Sequence, residues 1–166
     1  LCGEGINAPV ALETCGHAAL KGNYFLDDGA YLVTRIIIEY ARLKKEGKEI
    51  ADLIADLHEA KESLEIRLGF RTENWREYGN AVIESIKDIK HAGFIVAPDN
   101  HEGVRVSIPA LKGWFLVRMS VHDPIMPINI ESDLIGGAKK IADLLLTYLG
   151  EFDGLDVAPL EKAVKG

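Results

Sequence analysis

Only two of the 166 residues are cysteines, Cys2 and Cys15, too few for the disulfide framework of a small secreted domain. A reducing, cytoplasmic setting is the simpler expectation, with a single Cys2–Cys15 bridge left open. Long apolar runs are also missing. The strongest block, Ile36-Ile37-Ile38, is interrupted by Glu39, far short of the roughly 20 residues that cross a bilayer, so no membrane partner is expected. The opening Leu1-Cys2-Gly3-Glu4-Gly5 has no initiator Met, no basic segment and no apolar run; it is not a signal peptide, and the chain reads as a fragment. Excess positive charge is absent too: 19 Lys and Arg face 26 Asp and Glu, for a formal charge of -7. That balance excludes broad electrostatic binding to nucleic acid or anionic lipid, and any anion site must be local. There is no internal repeat and no low-complexity segment. Paired ligand spacing of the finger type is lacking, which disfavours a zinc site built from Cys2, Cys15, His17 and His122.

What is present, 48% hydrophobic and 27% charged residues, suffices for one compact domain or for a small domain plus a piece of another. Val10-Ala11-Leu12 reads as a strand leading into the polar turn Glu13-Thr14-Cys15-Gly16-His17. Asp27-Asp28-Gly29 supplies capping carboxylates for a helix whose apolar face is Leu32, Val33, Ile36, Ile37, Tyr40 and Leu43 and which ends near Gly47. Ile50, Leu53, Ile54 and Leu57 predict a second, shorter helix, and the polar stretch 58–62 a linker. Residues 1–57 thus form a first region and 63–166 a second. In the second, Leu64 to Leu68 alternates as a half-buried strand does, and Trp75, Tyr78, Val82, Ile86 and Ile89 mark a helix. Short strands follow at Phe94–Val96, Val104–Val106, Trp114–Val117 and Met126–Ile130, with Pro127 pointing to a sheet edge or bulge. A closing helix carries Leu134 through Leu149, and the remainder reads as a short tail. The expected class is α+β, the second region being an antiparallel sheet with two helices on one face.

Two loops carry residues suited to chemistry. In Arg118-Met119-Ser120-Val121-His122-Asp123-Pro124, Arg118, Ser120 and His122 alternate and can face one side of an extended backbone. A planar guanidinium fork, a hydroxyl and an imidazole donor suit a phosphate ester. The competing reading is an Arg at a strand end paired with Asp123 or Glu131, with Ser120 and His122 serving the turn. In Glu13 to His17, a carboxylate and an imidazole on one tight turn can bind paired sugar hydroxyls or pass a proton. They can equally be a capping Glu and a surface His.

Taken together and in this order, about a hundred residues apart, the two loops resemble motifs of the α-D-phosphohexomutases of the phosphomannomutase/phosphoglucomutase kind. Glu13 to His17 resembles the Gly-Glu-x-Ser-Gly-His sugar-binding motif of that family's third domain, with Asp27-Asp28-Gly29 and a helix where the family places its own Asp-Gly and helix. Arg118 to Pro124 resembles the Arg-x-Ser-x-Thr-Glu-Pro phosphate loop of the fourth domain, and Glu102-Gly103-Val104-Arg105-Val106 ahead of Gly113-Trp114 resembles the segment before the family's Trp-containing strand. The resemblance implies a C-terminal fragment: the end of a mixed α/β third domain, then a small fourth domain with an antiparallel sheet packed by two helices. It implies a sugar site at Glu13, Cys15, Gly16 and His17, and a phosphate site at Arg118, Ser120, Val121 and His122. The implied reaction is reversible transfer of phosphate between O1 and O6 of a hexose through a hexose 1,6-bisphosphate, with magnesium as the cofactor of the full-length enzyme.

The sequence departs from the family at Leu12 for Gly, Cys15 for Ser, His122 for Thr and Asp123 for Glu. His17 favours branches acting on mannose, glucose or glucosamine phosphates. The family's phosphorylated-serine loop and its Asp-x-Asp-x-Asp metal loop have no counterpart here, because Asp27-Asp28, Asp52-x-x-x-Asp56 and Asp153 to Asp156 lack that spacing. The fragment alone is therefore expected to be inactive, with catalysis dependent on the rest of the enzyme, domains 1–3. Two further readings stand beside this one: a non-catalytic sugar-phosphate or protein-binding module, and a thiol enzyme in which Cys15 works with His17 or His122.

Overall fold

The computed structural model describes residues 7–12, 16–100 and 103–166. The chain separates into two compact units, Leu1–His58 and Glu59–Gly166.

In the first unit, β1 (Val10–Leu12) pairs antiparallel with β2 (Ala18–Leu20), Leu12 opposite Ala18, so the turn of interest closes a short hairpin. Helix α1 (Gly29–Lys45) starts where the sequence predicts. Of the two aspartates only Asp28 caps it, accepting the Tyr31 N–H at 3.1 Å. The apolar face of α1 is far less covered than its periodicity suggests. Leu43 is buried, whereas Val33, Ile36 and Ile37 are about half exposed. The expected second helix is only a 3-10 turn, Ile50–Ile54, held by a reciprocal capping box between Glu49 and Asp52. Leu53, Ile54 and Leu57 are exposed, and an amphipathic stripe with nothing to bury against loses most of what would extend it as an α-helix.

The second unit is built on a six-stranded antiparallel sheet in the order β4-β5-β6-β7-β3-β8. Its strands are β3 (Glu62–Phe70), β4 (Ile95–Val96), β5 (Val104–Ile108), β6 (Gly113–Val117), β7 (Ile125–Ser132) and β8 (Leu155–Asp156). Alternation sets the faces. Ile66, Leu68, Val104, Val106, Phe115, Val117, Met126, Ile128 and Ile130 are buried in one core with helices α2 (Trp75–Lys87) and α3 (Gly137–Leu149). On the opposite face Glu65, Arg67 and Arg105 are exposed, and Arg105 lies 4.6 Å over the Trp114 ring. The α+β class is as the sequence implies.

Three expectations change. First, β3 begins at Glu62 inside the expected linker, because its carboxylate has a partner: it accepts the N–H groups of Gly136 at 2.6 Å and Ala138 at 3.0 Å, capping α3. Second, Pro127 is not at an edge, since β7 lies between β6 and β3. Its carbonyl accepts the Arg118 N–H at 3.1 Å, so its nitrogen also faces the β6 side, one step past the last β6–β7 pair, Val117↔Ile128. The missing donor falls at the Arg118 rung near the hairpin tip, so the proline removes one bond, the return bond to the Arg118 carbonyl, and leaves the rest of the β6–β7 pairing intact. Third, the residues after Leu149 are no tail. They form β8, paired with Gly69 and Phe70, and a third core helix, α4 (Ala158–Lys165), with Leu155 and Leu160 fully buried.

Candidate functional site

Of the proposed sugar loop, Glu13 and Cys15 lie outside the described residues, as does any Cys2–Cys15 bridge. Gly16 has φ +92, backbone that a side chain would strain, so the bend before His17 needs glycine. His17 follows on the exposed side of the hairpin, its Nδ1 2.6 Å from Asp27 Oδ2. The two neighbouring aspartates therefore divide their work. Asp28, held below its usual pKa first by the Tyr31 N–H and then by the Asn23 side chain, serves the helix, while Asp27 orients the imidazole. An Ala19↔Asp27 bridge fixes the backbone of Asp27 across from β2. Between them runs a turn in which Tyr24 (φ 54) and Phe25 (φ 56) are both left-handed, a costly conformation for residues with side chains and one that tends to gather at functional sites.

The second loop, residues 118–124, is the tip of the β6–β7 hairpin. Arg118 N–H donates to Pro127 O and Ser120 N–H to Ile125 O, both at 3.1 Å, so the extended backbone continues past β6 to Ser120. Met119 keeps the inward parity of Phe115 and Val117 and packs against Gly79 of α2, where an added Cβ would come within 2.5 Å of its Cε. Arg118 and Ser120 thus point to the other side of the strand, as the alternation predicts. The chain bends at Val121, so His122 belongs to the turn instead of the extended row; Ser120 Oγ accepts the Asp123 N–H at 3.2 Å. Val121 and His122 are exposed. The alternative pairing of Arg118 with Asp123 or Glu131 does not form: among the described residues the Arg118 guanidinium has no hydrogen-bond or ion-pair partner. What the tip offers is an unpaired planar cation beside a hydroxyl that still has a proton to donate.

One contact at this tip escapes sequence reasoning. Arg76, in the first turn of α2, donates from Nη2 to the Val121 carbonyl at 3.1 Å and stacks 4.2 Å over the Trp75 ring. An Arg beside a Trp at a helix start is the only trace it leaves in the sequence.

Among the described residues, no three His, Cys, Asp or Glu side chains gather as a group that could hold a metal ion. No helix among them is long and apolar enough to cross a membrane.

No protein-family model matches this chain, and no curated protein does. Among solved structures it is similar to a phosphoglucomutase/phosphomannomutase family protein from Burkholderia thailandensis, with a TM-score of 0.64 and 25% sequence identity. The similarity covers 92% of this chain and 30% of that one, so the chain spans less than a third of that protein's length. The likeness is one of fold, to a phosphoglucomutase/phosphomannomutase family protein.

Proposed function

We propose that this chain is the C-terminal part of a phosphomannomutase/phosphoglucomutase-like isomerase. In this reading the Arg118 loop holds the phosphate that is not reacting, and the Glu13–His17 loop grips sugar hydroxyls. Moving phosphate between O1 and O6 requires the hexose to bind in both orientations. The contacts must therefore be ones that either orientation can satisfy: a fork for whichever phosphate is distal, and donors and acceptors for the hydroxyls common to both. The phosphoserine, the magnesium ion and its ligands belong to the remainder of the polypeptide, domains 1–3, and a hexose 1,6-bisphosphate is the intermediate.

The observation that carries the reading is the unpaired guanidinium of Arg118 beside Ser120, at a hairpin tip of a fold shared with a protein of that family. A cation that the fold positions and leaves unpaired is available to a ligand, and a bidentate charged hydrogen bond to phosphate is among the stronger polar contacts. His17, oriented by Asp27, is the donor or acceptor for sugar hydroxyls. The test is titration of the chain with glucose 1-phosphate, followed by amide chemical shifts. Arg118→Ala is expected to weaken binding by about 2 kcal/mol, roughly thirtyfold. Equal affinities in wild type and variant would remove Arg118 from the site.

A further inference from the structure

Among the described residues, the tip of the β6–β7 hairpin holds three amides with nothing to donate to. Within 118–125, Arg118, Ser120, Asp123 and Ile125 all place their N–H groups, on Pro127 O, Ile125 O, Ser120 Oγ and Asp123 O. The N–H groups of Met119, Val121 and His122 have no acceptor among the described residues; that of Met119 belongs to the extended row, and those of Val121 and His122 to the turn. A loop that receives an oxyanion through its backbone needs at least one such amide held in a fixed direction, because a free peptide plane would have to be ordered by the ligand itself.

The means of fixing it comes from α2. Arg76 donates to the carbonyl of Val121 from the side of the sheet that α2 covers. Its guanidinium is engaged on a second side, lying 4.2 Å over the Trp75 ring, and Trp75 in turn packs against Phe70 with ring centroids 6.1 Å apart. Met119, seated on Gly79, pins the loop to the same helix one turn further on. Among the described residues no peptide bond is cis, so in the Val121–His122 unit the carbonyl and the following N–H point in opposite directions. With the carbonyl drawn toward α2, the His122 N–H is directed away from it, toward the side that bears Arg118 and Ser120.

We propose that Arg76 is a positioning residue for anion binding: it holds the Val121–His122 peptide so that the His122 amide donates to the phosphate of a hexose phosphate gripped by Arg118. The proposal rests on the reading of 118–124 as a phosphate loop. It assigns Arg76 no contact with the substrate. The arrangement also accounts for a use of His122 that does not depend on its imidazole, since the amide is the donor the geometry presents.

The full chain, labelled with 15N, is titrated with glucose 1-phosphate as wild type and as Arg76→Ala, Arg76→Met and Arg118→Ala, alongside thermal melts. Arg76→Met keeps an apolar stem over Trp75 and guards against loss of packing. Both Arg76 variants are expected to bind roughly tenfold more weakly with melting unchanged, since Arg76 is exposed. They are also expected to shift the His122 amide resonance in the ligand-free protein and to shrink its response to phosphate. Wild-type affinity in Arg76→Met, with binding lost in Arg118→Ala, would overturn the positioning role and leave the phosphate loop standing. Weakened binding with the free His122 amide unmoved would mean that Arg76 touches the phosphate directly, which also overturns it. If wild type itself does not bind glucose 1-phosphate, both the loop reading and this proposal fall.

Discussion

Gly103 is the residue at which fold and site are most tightly bound together, and replacing it with Ala tests both. It immediately precedes β5, whose first residue pairs Val104 with Val117, and its backbone has φ +104. A Cβ there would lie 2.7 Å from Arg118 Cβ and 2.8 Å from Arg118 Cα, and would press on the Val117 carbonyl oxygen. Carbon atoms in good contact sit about 3.5–4.0 Å apart, so roughly 1 Å must be found, and main chain cannot yield as a flexible side-chain end does. Left-handed backbone on a residue with a side chain costs about 1–2 kcal/mol, and the overpacking about 1–3. Restriction of the unfolded chain returns about 0.4–1. The net expectation is a loss of about 1.5–4 kcal/mol. Both tryptophans, Trp75 and Trp114, lie in the second unit, so tryptophan fluorescence in urea follows that unit alone. With a slope of about 1–3 kcal/mol/M, the midpoint should fall by about 0.5 M or more. Because the collision falls on Arg118, glucose 1-phosphate binding should weaken in the fraction still folded. An unchanged midpoint would show that the β5 start and the loop are not in contact as described.

Other perturbations separate roles in the same way. Glu62 is held below its usual pKa chiefly by the N–H of Gly136 and then of Ala138; a lowered folded pKa means its contribution is present above the unfolded carboxylate value and is lost as pH falls through the folded one. Glu62→Gln should therefore narrow the stability gap between pH 7 and pH 3, and melts of equal pH slope in both proteins would contradict the cap. Tyr24 is left-handed and almost fully exposed, so Tyr24→Gly should stabilise the first unit by about 0.5–1 kcal/mol, read as slower amide exchange at buried Leu43. In a full-length enzyme, His17→Ala should lower turnover far more than melting temperature, its side chain being exposed; the reverse pattern would make it structural. The chain alone should not interconvert glucose 1-phosphate and glucose 6-phosphate, since positioning groups without a phosphoryl donor do not lower the barrier, and robust turnover by pure protein would defeat the assignment.

What the sequence made legible follows from range. The boundaries of α1, the strand at Trp114–Val117 and the shared side of Arg118 and Ser120 come from periods of 3.6 and 2 that any short window displays. Burial is a different matter. The apolar spacing on α1 was visible, yet nothing local says whether another surface covers Val33 and Ile37, and among the described residues both stay about half exposed. The same gap explains the 3-10 turn at Ile50–Ile54, where pattern was present and a packing surface was not.

The residues that sequence reading missed act across distance. Glu62 looked like linker because its partners stand 74 and 76 residues away, and a polar residue outside any apolar period carries no sign of what it caps. Pro127 looked like an edge residue because the rule that places proline at edges concerns one missing donor, and only the packed sheet shows that this donor falls at a single rung beside Arg118, past the last β6–β7 strand pair. Leu155 and Leu160 looked like tail because two short elements give too few residues for a period to emerge; both are buried against a core assembled from strands that begin ninety residues earlier. The site divides along the same line. That Arg118 and Ser120 share one side of the strand was legible because alternation is local, whereas the contacts of Arg76, 45 residues from the carbonyl it holds, and of Asp27, 10 residues from His17, were not. The groups proposed to touch the ligand sit in short, readable loops, and the groups that aim them come from elsewhere in the fold, which is why a motif identifies the first kind and only the packed structure identifies the second.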